Sequence, residues 1–202
     1  MTPRSYALGK REATSAATRK RIREAAFELY TEQGIAATTI QAVATRADVA
    51  RGTVVNHFGT AEQLLEAVLD ETISDLCYPD EHILDGIADP QERIHRYVDA
   101  LFRFFERSEA IWPAVRSDLD LPVLKRRTDE YVAVIGRLYA AAFGPLATDR
   151  FVAAAARAYV NYSPLHDLRA AGLSLDEAIE VVADSLIAIV DRQRRPVATR
   201  HP

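Results

Sequence analysis

Four polar side chains crowd one short stretch, ARGTVVNHF (residues 50–58): Arg51, Thr53, Asn56 and His57. Their types suit hydrogen bonding to nucleic-acid edges rather than bond breaking. An Arg fork fits O6/N7 of guanine, an Asn amide fits N6/N7 of adenine, and a Thr can touch a thymine methyl or a phosphate. Arg51, Thr53 and Asn56 are therefore the base-contact candidates. Elsewhere the chemistry-bearing residues do not assemble. The histidines at 57, 82, 95, 166 and 201 form no HxxxH, HExxH or HxH grouping, so no metal site is expected. There is no Walker loop, GxGxxG or GxSxG. Asp118 and Asp120 are expected to be solvated at a helix end. The carboxylates at 70, 71 and 75 are expected on an exposed helix face. No enzyme activity and no cofactor are expected.

The polar stretch needs a helix to present it and a second helix to hold that one in place. Residues 38–58, TTIQAVATRADVARGTVVNHF, supply both. Thr38 and Gln41 have the spacing of a capping box. Ile40, Val43, Ala44 and Ala47 then follow at the period of one helical face. Ala47-Asp48-Val49 is the break, and Asp tolerates a left-handed backbone better than most residues. A second helix restarts near Ala50 and runs to about His57. Val54 and Phe58 are its apolar positions. Gly52 costs that helix roughly 1 kcal/mol relative to Ala. Close approach to a DNA backbone is one reason to accept the cost. Helix, tight turn and helix make a helix-turn-helix, whose second helix enters the major groove.

Residues 16–65 resemble the DNA-binding domain of TetR-type (tetracycline-repressor-like) transcriptional regulators. The resemblance is carried by Gly34-Ile35, Thr38-Thr39-Ile40, Val43-Ala44, Ala47-x-Val49, Arg51-Gly52-Thr53, His57-Phe58 and Glu62-x-Leu64-Leu65. It covers about a quarter of the chain. The family usually has Gly where this chain has Asp48, and Ser or Thr where it has Ala50. It commonly has an aromatic near Val55 and a Lys near Ala61. Three backbone contacts common in relatives are thus missing, and Arg51 with the basic N-terminus is expected to compensate. Thr38, Thr39 and His57, with Lys10, Arg11, Arg19, Lys20, Arg21 and Arg23, are the phosphate candidates. The resemblance implies a homodimer on double-stranded, roughly palindromic DNA, most often as a repressor. It also implies a small-molecule effector that enters the helical body and shifts the spacing of two reading heads.

Charge agrees with that division. Residues 1–60 hold nine Lys/Arg against five Asp/Glu, although the whole chain of 202 residues carries a net charge of −4. A basic end on an acidic body points phosphate binding at the N-terminal part. One cysteine, Cys77, excludes an internal disulfide and fits a reducing compartment. No apolar run is expected to reach the roughly 18 residues that span a membrane. The N-terminus lacks a signal-peptide core. A cytoplasmic location is expected.

The expected fold class is all-α: a three-helix DNA-binding domain over 16–60, then a larger helical ligand-binding and dimerisation domain over 61–195. Residues 1–15 are expected as a disordered basic arm, and 196–202 as a tail. The first helix should run from about Ala16 to Gln33, stopped by Gly34. Thr60-Ala-Glu-Gln63 and Ser174-Leu-Asp-Glu177 are further capping boxes, and Asp89-Pro90 is a good helix start. Pro164 should kink or end the Ala-rich helix that begins near Asp149. In the last helix Ala183 and Ile187 widen the apolar stripe beyond one partner's needs. The dimer is therefore expected through the last two helices. Polar residues among apolar helix positions are pocket candidates: Trp112, Arg116, Tyr131, Asn161, Tyr162 and His166, with Phe102 and Phe105 as wall. Asn161 and His166 flank Pro164 and serve equally well as caps for that kink. A flat or apolar effector suits such walls. An alternative reading is a helical enzyme or carrier whose head no longer reads DNA.

Overall fold

The computed structural model describes residues 3–76 and 78–194, with side chains for 12–72 and 78–194. All regular structure among the described residues is helical. The α-helices are α1 (Pro3–Gln33), α2 (Ile40–Arg46), α3 (Arg51–Phe58), α4 (Ala61–Leu76), α5 (Pro90–Arg107), α6 (Trp112–Ser117), α7 (Pro122–Phe143), α8 (Arg150–Tyr159), α9 (Tyr162–Ala170) and α10 (Leu175–Arg194). Short 3-10 turns cover Glu81–Leu84 and Gly144–Thr148.

The chain divides into two compact units. The first is Met1–Leu76 with Glu109–Thr128, and the second is Cys77–Ser108 with Asp129–Pro202. This moves the boundary expected at residue 60. The apolar residues of α4 (Leu64, Leu65, Val68, Leu69) share one core with Ile22, Ala26 and Leu29 of α1 and with Val43, Val54 and Phe58. Ile111, Ala114, Val123 and Leu124 complete that core. One long helix and two short ones bury too little surface alone. The two added pieces supply the missing apolar faces.

The disordered arm expected over 1–15 is also corrected, because α1 is helical from Pro3. Ala, Leu, Lys, Arg and Glu are good helix formers. Once a helix is nucleated, each added turn costs little. The side chains of Arg4, Lys10 and Arg11 lie outside the described residues.

Most helix ends follow the sequence rules. Asp89 accepts from the Gln91 and Glu92 amides, with Pro90 at the first helical position. Thr60 Oγ1 accepts from Gln63 N at 3.1 Å, and Gln63 Oε1 accepts from Thr60 N at 3.0 Å. The Ser174–Glu177 box closes in the same way. Gly59 before α4 has φ 76°, and a Cβ there would meet Gln63 Oε1 at 2.1 Å, so the second box needs this glycine. The Thr38–Gln41 box does not form. Thr39 is the cap instead and accepts from Ala42 N at 3.1 Å. Thr38 Oγ1 donates back to Gly34 O at 2.8 Å, which removes it from the helix end.

In the second unit α5 and α10 pack most extensively. Ile94, Val98, Leu101, Phe102 and Phe105 of α5 are buried, as are Ala178, Ile179, Val182, Ala183 and Leu186 of α10. Pro164 sits in the first turn of α9, where Pro is tolerated. The break comes earlier, at Val160, and Asn161 caps α9 by accepting from Tyr162 N at 2.7 Å. By length and composition Pro122–Thr148 is apolar enough to cross a membrane, against the expectation that no stretch is. The physical reason lies in its last 18 residues, Tyr131–Thr148, where Val132, Val134, Ile135, Leu138, Phe143 and three alanines at 140–142 surround Arg137 as the one charge. Arg137 is ion-paired to Glu81 at 2.9 Å, and Tyr139 donates to Ala147 O at 3.0 Å.

Candidate nucleic-acid interface

The recognition surface is built by α2 clamping α3. Val43, Ala44 and Ala47 of α2 and Val54 and Phe58 of α3 are buried together. The turn between them puts Asp48 at φ 51°, the left-handed region, and Val49 N donates back to Ala44 O at 3.0 Å. Burying Val54 and Phe58 fixes the rotation of α3. Arg51, Gly52, Val55 and Asn56 are then exposed, with Thr53 and His57 half-buried. Arg51 and Asn56 make no hydrogen bond or ion pair among the described residues. Both are free for an outside partner.

Gly52 gives the sharpest sign that this face meets something. A Cβ built on it finds no heavy atom within 4 Å. Nothing among the described residues needs a glycine there, so its helix penalty has no return from them. Ala50, at the start of α3, provides no side-chain cap. The first amides of α3 are left pointing outward, where an anion is stabilised.

The basic group is less available than its charge suggests. Arg19 is not a free phosphate ligand. Its Nη1 donates to His57 O at 2.5 Å, and its guanidinium lies 4.2 Å from the Phe58 ring centroid. It holds the C-terminal end of α3, where a cation also complements the helix dipole. Arg23 is paired with Glu71 at 2.5 Å, and its side chain is only 22% exposed. Lys20 pairs with Glu24 at 3.7 Å in an exposed contact that a phosphate can replace cheaply. Arg21 is exposed and unpaired among the described residues. Thr39 is committed to its cap and Thr38 to Gly34. Arg46 is fixed to Glu32 at 2.7 Å and to Glu28 at 3.0 Å, ties between α2 and α1 that hold the Glu32 carboxyl below its ordinary range.

Asp118 is the site-supporting residue that sequence reasoning missed. It is not simply solvated. Its Oδ2 accepts from Ile35 N at 2.8 Å and from Ala36 N at 3.0 Å, pinning the turn that launches α2. A lone Asp 83 residues away carries no local signal of that contact. Asp70 and Glu71 likewise serve ion pairs, Asp70 with Arg127 and Glu71 with Arg23.

The proposed pocket residues are divided between the two units. Trp112 and Arg116 belong to the first unit, and the other six belong to the second. Phe102 and Phe105 are 0% and 3% exposed, as core residues are. Tyr162 and His166 stack on one face of α9, with ring centroids 6.1 Å apart. Tyr131 joins an aromatic group that the sequence did not single out. Its ring stacks on Phe104 at 5.7 Å and lies 5.5 Å from Tyr78. Burial pushes the Tyr131 and Tyr97 phenols above their ordinary range. In the first unit a cavity of about 280 Å³ is lined by Tyr30, Ile35, Thr38, Leu65 and Val123 among others, and by none of the eight candidates.

A buried clamp, a tight left-handed turn and an exposed Arg/Asn helix face make a helix-turn-helix unit of the kind that enters a DNA groove. Residues 22–68 match the family of bacterial regulatory proteins of the tetR type. That match lies on the helix-turn-helix head, from α1 into α4. It is 43% identical over 67 residues to the transcriptional repressor Rv3405c of Mycobacterium tuberculosis, a match covering 33% of each chain. The similarity thus spans about a third of the length of such curated relatives. Across the fold, the chain resembles NalD, the secondary repressor of the MexAB-OprM multidrug efflux pump in Pseudomonas aeruginosa. That likeness has a TM-score of 0.65 at 22% identity, over 87% of this chain and 96% of that one. The multidrug binding protein EbrR, complexed with imidazole, is similar at TM-score 0.54 and 25% identity, over 83% and 88% of the two chains.

Proposed function

We propose that the chain is a ligand-responsive transcriptional regulator, most simply a repressor, that binds a palindromic operator as a homodimer in the cytoplasm. The observation that carries this reading is the α3 face: Arg51 and Asn56 are exposed and uncommitted beside a glycine with no internal role. Arg51, Thr53 and Asn56 meet bases. Arg21, Lys20, His57 and the outward amides of α3 meet phosphates, with Lys10 and Arg11 as further phosphate ligands.

The dimer forms through α8 and α10. Phe151 and Tyr159 on α8 are 52% and 43% exposed, and Val181 on α10 is 48% exposed. Ala154, Ala155 and Ala158 lie between the two aromatics, allowing close helix approach. An apolar strip of this kind on two packed helices suits a second copy of the same surface.

An aromatic or apolar effector is read in the second unit, near Tyr131 and Tyr162. NalD, a secondary repressor of a multidrug efflux pump, and EbrR, a multidrug binding protein, are in keeping with that chemistry. Such a ligand acts only by binding one spacing of the heads more tightly than the other.

The test is selection of random duplex DNA by the full-length protein at about 0.15 M salt, where nonspecific phosphate binding is weakened. Enrichment of one palindrome is expected. A folded dimer that enriches nothing, with or without metabolite extract, would overturn the reading.

A further inference from the structure

The recognition face carries one side chain that hydrogen bonding does not explain. Val55 is 37% exposed. Single exposed apolar residues are ordinary on protein surfaces. Its company sets this one apart. Val55 lies four residues after Arg51, one turn along the same face, and beside exposed Asn56. Its neighbour Val54 is fully buried, so the core takes one of the two valines and leaves the other outside. A β-branched residue is a poor choice for an exposed helical position on helix stability alone. Gly52, three residues before Val55, has no side chain, and a Cβ there would meet no heavy atom within 4 Å.

The base edge that rewards an apolar contact in the major groove is the C5 methyl of thymine. We propose that Val55 is a specificity-determining residue that packs on a thymine methyl. This rests on the DNA-reading function proposed above. Four residues of helix advance by about 6 Å, and base pairs repeat every 3.4 Å or so. The thymine should therefore lie one to two steps from the base pair contacted by Arg51.

The experiment removes only the methyl. Each thymine of the selected operator is replaced in turn by uracil, and binding is measured for the full-length protein and for Val55→Ala. One uracil should weaken the unaltered protein by about three- to fivefold, the scale of one buried methyl contact. Val55→Ala should bind the thymine operator about as weakly and be indifferent to that uracil. Its melting temperature should not fall. A uracil scan that is flat, or equally deep in both proteins, would overturn the role of Val55 while leaving operator recognition intact. Failure to select any operator would overturn DNA reading and this inference together.

Discussion

The last helix, α10, opens with a closed capping box between Ser174 and Glu177. Asp176 and Glu177 lie in its first turn, Arg192 and Arg194 in its last. All four charges complement the helix dipole. The recognition helix α3 opens on Ala50, which has no side chain to cap with, and puts Arg51 and Gly52 in its first turn. Its approach bends through Asp48 in the left-handed region. The first helix satisfies every local rule, and the second breaks three in a row. Such breaks are tolerated where a surface is kept for a partner. The uncapped amides, the cation and the missing Cβ of α3 all suit an incoming phosphate and base, and all weaken α3 in isolation.

The largest break in that comparison should come at Arg51. Arg51→Ala should cost operator binding about 1–3 kcal/mol if it reads a base. It should leave the melting temperature unmoved, since Arg51 has no partner among the described residues. Titration of labelled operator, paired with thermal melting, separates the two effects. Unchanged affinity would remove Arg51 from base reading.

Gly52→Ala should move the two readouts in opposite directions. The built Cβ touches nothing among the described residues. The variant should therefore gain up to about 1 kcal/mol of stability. Operator binding should weaken by at least as much if a DNA strand passes over that point. A variant that is both more stable and equally tight would place the close approach elsewhere.

The caps can be exchanged. Ser174→Ala removes the acceptor for Glu177 N but leaves the Glu177 carboxylate on Ser174 N. It should lower stability by about 0.5–1 kcal/mol in denaturant melts. Ala50→Ser should raise stability by a similar amount. It should also tighten DNA binding, because the added hydroxyl stands where relatives touch a phosphate. If Ala50→Ser stabilises without tightening binding, the start of α3 does not face the backbone.

What could be read from residues alone was whatever is local. The second and third capping boxes, the Asp89-Pro90 start, the turn at Asp48 and the burial of Val54 and Phe58 all depend on neighbours within a few positions. Thr38–Gln41 failed because two adjacent threonines competed for one cap, and spacing cannot say which hydroxyl turns back to Gly34. The reach of the head was missed for another reason. Residues 109–128 join it through Ile111, Val123 and Asp118, contacts made across some 80 positions of chain. The basic cluster was legible as charge but not as use. Arg19 is aimed at His57 O and the Phe58 ring by the packing of α1 on α3, a contact 38 residues long-range.

The smallest expected effect is one of pH, at the start of α10. The Ser174 amide, and secondly its hydroxyl, hold the Glu177 carboxyl below its ordinary range. A carboxyl lowered on folding adds stability above its unfolded pKa and loses it as pH falls through the folded value. The window is therefore acidic, beginning near the ordinary value of 4.5 and extending below it. Glu177→Gln keeps an acceptor but cannot titrate. It should melt slightly below the unaltered protein at neutral pH and together with it in acid. Glu32 and Glu81 are lowered as well, by Arg46 and, after a backbone contact, by Arg137. Only the difference between the two proteins isolates Glu177. Amide hydrogen exchange then sharpens the contrast between the helices. The first turn of α10 should lose protection on acidification as its box opens. The first turn of α3 has no carboxylate to lose, and its exchange, corrected for intrinsic rate, should stay where it was. Equal losses at both ends would mean that acid acts on the whole fold and that the cap of α10 sets it apart from α3 in geometry only.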